Sequence, residues 1–351
     1  MTSTNRPGRR VTINDIAKRA GVSIGAVSFA LNGRKGVSDE TRERVLRVAE
    51  ELNWAPASAA RSLAEAKTNT YGLVLARDPQ TLSIEPFYMR FLAGVEAELS
   101  KRATGLLLQV VGSPEDDLET LKRWRAERRV DGVLLVDIAV DDPRVAWCSE
   151  PGGLPAVVVG DPAMAGRLSC VWTDDVTSMR EAVAHLAALG HRRIGRVAGI
   201  RAFMHTRIRD SAFLAVTQQL GVEAQLLRAD YGPESGRLAT EAALRATDRP
   251  TALIYDNDVM AVAGLGVAHE LGLAVPGDVS IIAWDDSVLC EHTYPSLTAL
   301  SHDVLAFGSH AARRLTELIS GGTPAHYLDS APTLAVRSST GPVAVQTAPH
   351  H

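Results

Sequence analysis

The spacing of apolar residues changes character once along this chain. From Val11 to Leu52 it follows a helical period: Ile13, Ile16 and Ala17 form one cluster, Val27, Ala30 and Leu31 a second, and Val45, Leu46, Ala49 and Leu52 a third. Each cluster follows a residue suited to starting a helix. Thr12 has Asp15 three residues on, in a capping-box spacing; Ser23 opens the second segment; Ser38 opens the third, with Asp39 and Glu40 in its first turn. Gly21 ends the first segment, so two short helices are joined by a glycine-containing turn. This pattern predicts a helix-turn-helix whose second helix docks in a DNA major groove, closed over by a third helix.

From Thr70 the period shortens. Apolar runs at Tyr71–Ala76, Gly105–Val111, Gly132–Val136, Ala156–Val159, Ile194–Ala198, Ala252–Tyr255 and Val279–Ala283 read as strands. Between them lie the amphipathic stretches Phe87–Arg102, Asp116–Arg128, Met179–Leu189, Ile208–Leu220 and Val259–Leu271. Continuous apolar strands alternating with helices imply parallel sheets covered on both faces. About 270 residues exceed one comfortable sheet, so two lobes with a ligand cleft between them are expected. The expected fold is an N-terminal all-α helix-turn-helix head followed by an α/β effector domain of two doubly wound parallel-sheet lobes. No G-x-G-x-x-G follows the first strand and no Walker loop occurs, which weakens nucleotide-binding readings.

Charge sharpens this division. Residues 1 to 68 carry 12 Lys and Arg against 7 acids, a net of +5, while the whole chain is −4, leaving −9 for the remainder. A basic head on an acidic body suits phosphate binding, because cations are needed only where counterions are displaced. Hydrophobic content of 46% and charged content of 22% are those of an ordinary globular chain. Cys148, Cys170 and Cys290 are widely spaced, which supports neither a disulfide framework nor a zinc site. The polar N-terminus lacks a signal-peptide core and no run of eighteen apolar residues occurs, so a cytoplasmic location without membrane insertion is expected. The cations of His191-Arg192-Arg193 sit where they would favour a helix C-terminus. No nucleophile triad or metal constellation emerges, and no enzyme activity, metal or cofactor is expected.

Residues 11 to 63, VTINDIAKRAGVSIGAVSFALNGRKGVSDETRERVLRVAEELNWAPASAARSL, resemble the head and hinge of the lactose-repressor (LacI/GalR) family of bacterial transcription regulators. The VTI-D-A start, AGVS turn, VS-LNG second helix, VS-TRE third helix and P-A-AR-L hinge match nearly in register. The implied DNA-facing set is Thr12, Ser23, Ile24, Gly25, Ala26, Ser28, Phe29 and Asn32. Of these, Ile24 and Gly25 face bases, and Ser23 and Ser28 bond phosphates. Phe29 departs from the pattern, standing where many members have Arg; it offers a thymine methyl an apolar contact but cannot read guanine bidentately. The segment Pro56 to Leu63 is too short to be a stable helix alone, and is expected to form on DNA. In the family, paired hinge helices enter the minor groove and a leucine wedges a base step. Leu63 matches that leucine, and Ser58, Ala60 and Arg61 accompany it.

The rest, nearly to Thr340, is similar to the family's sensor, which shares its fold with periplasmic sugar-binding proteins. The markers are GHRRIG at 190–195, YDNDVMAVAGL at 255–265, VPGDVSIIAWDD at 275–286 and LAVRSST at 334–340. This resemblance implies a head over 1–55, a hinge and linker over 56–68, a sensor over 69–340 and a tail over 341–351. One lobe takes about 70–168 and 299–330, the other about 169–298, with three crossings between them. Implied effector positions are Arg209, a planar donor fork, and Asp285, a hydroxyl acceptor. Asn257 stands in the N-D pair at a helix start, with Asp258 as its cap, and Tyr231 is an aromatic platform. Phe87, Asp161, Trp172 and Trp284 complete the candidate lining.

The sequence therefore reads as a homodimeric repressor of transcription on a pseudopalindromic operator, controlled by a small-molecule effector, a sugar being favoured. An activator or a corepressor-dependent regulator would share this organisation. A solute-binding protein or sugar-modifying enzyme would share the sensor fold but have no use for residues 11 to 63. The tail has no leucine heptads and so no tetramerisation helix is expected.

Overall fold

The computed structural model describes residues 11–54 and 67–343, and the chain divides into two compact units on either side of Thr68. In the first, helices α1 (Ile13–Ala20), α2 (Ile24–Leu31) and α3 (Asp39–Glu51) start at the expected caps. The Asp15 carboxylate accepts from the Thr12 N–H at 2.8 Å and its hydroxyl at 2.7 Å. Ser23 Oγ accepts from the Ala26 N–H at 3.1 Å, and Ser38 Oγ from the Thr41 N–H at 3.3 Å. Gly21 turns the chain between α1 and α2 in the left-handed conformation, at φ 69°. Ile16, Ala17, Ala20, Val27, Ala30, Val45, Val48 and Ala49 form the core of this unit. Leu46, expected to face inward, is 46% exposed. Val45, Val48, Ala49 and Leu52 already follow the 3-4 spacing of one face, and Leu46 lies a step of the helix away from it.

The second unit contains two six-stranded sheets. The first has the order β11-β5-β4-β3-β1-β2 and the second β12-β10-β9-β8-β6-β7. Their strands are β1 (Thr70–Ala76), β2 (Gly105–Val111), β3 (Gly132–Leu135), β4 (Ala156–Val159), β5 (Ser169–Thr173) and β11 (His326–Ser330) in one, and β6 (Arg193–Ala198), β7 (Glu223–Arg228), β8 (Ala252–Tyr255), β9 (Ser280–Trp284), β10 (Thr298–Ser301) and β12 (Thr333–Ala335) in the other. All pairings are parallel except β10 with β12. The same order, 2-1-3-4-5, recurs in both sheets.

Two of the expected lobe boundaries are corrected. β5, placed by sequence in the second lobe, pairs with β4 and β11 in the first sheet, so the chain first crosses after Thr173 rather than at 168. β10, placed largely in the first lobe, pairs with β9 in the second sheet, so the second crossing follows Ser301. In both cases the strand ending an apolar run completes the sheet it came from, and the next helix makes the crossing. The third crossing lies between β11 and β12.

Within the first lobe, helix Val304–Ile319 returns to pack on helix Pro86–Leu99. Glycine makes the approach possible. A Cβ on Gly94 would lie 1.9 Å from the Leu305 carbonyl oxygen, and one on Gly308 would lie 2.2 Å from that of Phe91. Ser309 Oγ donates to the Gly94 carbonyl at 2.8 Å. Phe91, Val95, Leu99, Phe307, Ala311 and Leu315 fill the layer between this helix pair and the strands.

Candidate DNA-reading face and effector cleft

The second helix of the head presents two faces. Val27 and Ala30 are buried, while Ser23, Ile24 and Gly25 are exposed and Ala26 and Ser28 half-buried. Ile24 is 52% exposed, a large apolar side chain left in water at the start of the helix. Phe29 is 39% exposed, and its ring lies over Gly36, where an added Cβ would stand 3.0 Å from Cδ2. One face of the ring is therefore occupied by the head and the rest is open. Asn32 caps the end of the helix, donating from Nδ2 to the Ser28 carbonyl at 2.9 Å. Thr12 and Ser23 are also caps, so each has a structural bond beside any phosphate contact. The hinge residues Ser58, Ala60, Arg61 and Leu63 lie outside the described residues.

A cavity of about 120 Å³ in the second unit opens at the carboxyl ends of both sheets. This is where doubly wound sheets bind ligands, because helix crossovers leave a crevice at the point where strand order reverses. Arg77 follows β1, Asp137 follows β3, Asp256 follows β8 and Asp285 follows β9. Thr173, Asp174 and Asp175 come from the first crossing and His302 from the second.

Arg77 joins the two walls. Its Nε and Nη2 donate to Asp137 at 2.7 and 2.9 Å, and its guanidinium carbon stands 4.7 Å from the ring centroids of both Phe203 and Tyr231 in the opposite lobe. Such a cation held over aromatic faces is favourable once removed from water. Burial would favour protonated Asp137, but Arg77 overcomes this and holds its carboxyl at about 2. Tyr231 lines the cleft but is 3% exposed. Its hydroxyl is bonded to His205 Nε2 at 2.6 Å and Thr206 Oγ1 at 2.8 Å, and its ring is flanked by Phe203 and Arg77. It is a wall of the cleft and not the open stacking platform expected from sequence. It adopts a left-handed backbone, at φ 74°, and its ring occupies the space above Gly199, where a Cβ would lie 2.0 Å from Cζ. Burial, reinforced by Arg209, lowers His205 to about 4, so the imidazole is neutral at pH 7.

Arg209 reaches the cleft from helix Met204–Gln219. Nε donates to Asp175 at 2.7 Å, Nη1 stands 3.8 Å from Asp256, and the guanidinium lies 3.8 Å over the Trp284 ring. Burial disfavours its charge, but Asp175 and then Asp256 hold the proton more firmly than in a free arginine. Trp284 is buried beneath it and does not line the cleft, so its role is to support Arg209. Asn257 is likewise withdrawn from the cleft lining. It, and not Asp258, is the N-cap of helix Asp258–Glu270: its Oδ1 accepts from the Met260 N–H at 2.9 Å and its Nδ2 donates to the Tyr231 carbonyl at 3.0 Å. Asp285, at φ 66°, does line the cleft, and desolvation there raises its carboxyl well above the usual carboxylate range.

Of the eight effector candidates, Phe87, Asp161, Trp172, Arg209, Tyr231 and Asp285 line one cavity, while Asn257 and Trp284 stand behind it. Sequence reasoning missed Arg77, Glu85, Tyr88, Asp137, Asp175, His205, Asp256 and His302. A signal existed for three of these: Arg77, Asp137 and Asp256 are the first charges after apolar strands, the position from which a side chain reaches a crevice at the sheet edge. Nothing local marked the others, which arrive on helices and crossings.

Comparison with known proteins finds matches to both units. Residues 12–57 match the profile of bacterial regulatory proteins of the lacI family, and residues 183–340 that of a periplasmic binding protein-like domain. The HTH-type transcriptional regulator CelR of Thermobifida fusca is 34% identical over 320 residues, 90% of this chain and 94% of CelR. The HTH-type transcriptional repressor PurR of Erwinia tasmaniensis is 31% identical, covering 93% and 96% of the two chains. Among solved structures, a transcriptional regulator CelR–cellobiose complex superimposes with a TM-score of 0.71 at 32% identity, covering 94% of this chain and all of that one. The lac repressor dimer bound to operator and the anti-inducer ONPF superimposes with a TM-score of 0.82 at 25% identity, over 95% of this chain and all of that one. With relatives this similar along nearly the whole length, a helix-turn-helix head and a two-lobed sensor, the chain belongs to the lacI family of bacterial regulatory proteins.

Proposed function

We propose that this protein is a sequence-specific repressor of transcription, released from or held on its operator by a small carbohydrate bound between the two sensor lobes. The observation that carries this reading is the pairing, in one chain, of an exposed recognition helix with a cleft whose polar groups converge from both lobes. It works as a homodimer on a pseudopalindromic site, as closed two-fold assemblies do, and resides in the cytoplasm. Among the described residues no helix is long and apolar enough to cross a membrane. Ile24 and Gly25 read bases, Phe29 adds apolar contact at its open edge, Ser23, Ser28, Thr12, Ala26 and Asn32 set the register, and Leu63 with Ser58, Ala60 and Arg61 wedges the minor groove. In the cleft, Arg209 and Asp285 hold hydroxyls while Phe87, Trp172, Asp161 and Tyr231 form the walls.

Fluorescence anisotropy of the full chain on its own upstream DNA, at fixed physiological salt and with a panel of neutral mono- and disaccharides, tests this directly. Specific binding that one sugar changes at least tenfold supports the reading, since a useful effector couples by about 1–3 kcal/mol. Absence of specific binding to that DNA refutes the regulatory role there, and binding that no sugar alters refutes carbohydrate control.

A further inference from the structure

The exposed side of the recognition helix is almost bare of hydrogen-bonding groups. Gly25, Phe29 and Asn32 are exposed at the spacing of one helical stripe, with exposed Ile24 and half-buried Ser28 beside them. Between Ser23 and Asn32 the sequence has no Arg, Lys, Gln, Asp or Glu. Asn32 is the one side chain of this stripe able to make a bidentate base contact. It stands at the helix end, with Nδ2 donating to the Ser28 carbonyl at 2.9 Å and lying 3.4 Å from Ser28 Oγ. Gly25, one turn before Phe29, adds no side chain, and a Cβ there would meet only Ser23 Oγ, at 3.8 Å. A duplex can therefore approach the helix backbone closely beside the ring.

Phe29 is held in place by the turn that follows the helix. An added Cβ on Gly36 would lie 3.0 Å from its Cδ2 and 3.2 Å from its Cε2, so the turn lies against the ring. The Arg34 N–H donates to the Phe29 carbonyl at 3.0 Å, and Arg42 Nη2 donates to the Arg34 carbonyl at 2.9 Å, which ties the turn to α3. The open part of the ring gains only by meeting apolar surface. In the major groove, the apolar group that a base edge presents is the C5 methyl of thymine. We propose that Phe29 reads this methyl group, so that each operator half-site carries T·A at the base pair the ring meets. The ring senses the methyl and not a pattern of donors and acceptors: 5-methylcytosine presents the same surface, whereas cytosine and uracil lack it. This rests on the reading of the head as a sequence-specific DNA binder, and goes beyond it by naming the chemical group that is read.

The test is selection of duplexes from a random-sequence pool by the full-length protein, without sugar and with the neutral sugar panel, followed by anisotropy on the selected site. Phe29→Arg is expected to select the same site with one T·A pair per half-site changed to G·C, which marks the pair the ring meets. For the wild-type protein, deoxyuridine in place of that thymine is expected to bind about fourfold more weakly, the factor that burying one methyl group supplies. Cytosine there should also weaken binding, and 5-methylcytosine should recover most of that loss. In Phe29→Ala, thymine and deoxyuridine at that pair should bind alike, because the partner of the methyl is gone. A deoxyuridine scan of every thymine in the site, with wild type and Phe29→Ala, locates the same pair without the arginine variant. Deoxyuridine tolerated at every position, a methyl dependence that survives in Phe29→Ala, or an unchanged site selected by folded Phe29→Arg overturns the inference. No enriched sequence under any condition removes the repressor reading and this one with it, whereas an enriched site that no sugar releases removes carbohydrate control and leaves the methyl readout to be decided by the scan.

Discussion

Replacing Glu85, buried at the cleft, with Gln has a consequence for stability that can be worked out in advance. Burial pushes the Glu85 carboxyl from its ordinary 4.5 up to about 7, against the pull of Arg77; Asp137 and Asp258 add repulsion, the Asn257 amide offers a hydrogen bond, and Asp285 also faces it. Below pH 4.5 the carboxyl is neutral in folded and unfolded chains alike, and its burial is least costly. Between 4.5 and about 7 the folded chain retains a proton that the unfolded chain has lost, so stability falls as pH rises. Above pH 7 the loss is complete, and a difference of about 2.5 pH units corresponds to about 3 kcal/mol. Gln has the shape of the neutral acid and does not titrate. The Glu85→Gln protein is therefore expected to melt close to wild type at pH 5 and higher at pH 8, by about 5 °C. Scanning calorimetry of both proteins across this range measures the gap, and titrations common to both, such as those of His205 and Asp117, cancel. A gap independent of pH, or one that is larger at pH 5, refutes the reasoning.

Three other substitutions probe separate parts of the structure. Gly199→Ala places a Cβ 2.0 Å from Tyr231 Cζ, so the ring must leave its bonds to His205 and Thr206; a loss of about 1–3 kcal/mol in denaturant unfolding is expected, and an unchanged midpoint would show the ring free to move. Arg209→Lys keeps the charge but not the planar fork that spans Asp175 and Asp256, and calorimetry with the sugar that the anisotropy panel identifies should show about a ten- to hundredfold weaker complex. Retained affinity would remove Arg209 from the ligand shell. Ile24→Ala should weaken the cognate operator by about 1–3 kcal/mol while leaving a scrambled duplex nearly unaffected at the same salt, and an equal loss on both would remove Ile24 from base reading.

The head was legible almost to the residue because capping and helical period are local signals. Thr12, Gly21, Ser23 and Ser38 each act within four residues of where they stand. The sensor was legible in apolar strands buried on both faces, as in β3, β4 and β8, although β5 and β10, similarly buried but interrupted by Ser and Thr, did not read as strands. The edge strands β7 and β11 escaped, because partly exposed segments such as EAQLLR and HYLDS carry polar residues that hide the apolar run. The resemblance located Arg209 and Asp285 correctly in the cleft but could not distinguish a lining residue from a supporting one. Asn257 and Trp284 lie next to the cleft lining, yet one is engaged by a helix cap, a carbonyl and Glu85 and the other by a guanidinium. Such competition for hydrogen-bonding groups depends on tertiary neighbours that no local pattern records.

Two of the three crossings supply the floor of the cleft: Asp174 and Asp175 on one and His302 on the other, with the Asp174 N–H donating to the Ser330 carbonyl at the start of the third, at 3.0 Å. An effector bound in this cleft, as proposed, would rest at the fulcrum of the two lobes and not at their lips. A torque applied at a fulcrum needs little travel: a lobe rotation of about 10° carries an atom about 20 Å from the axis through about 3 Å, enough to exchange one set of packed contacts for another. Under the proposed control, a small molecule at this point would command the outer surface of a sensor many times its own mass.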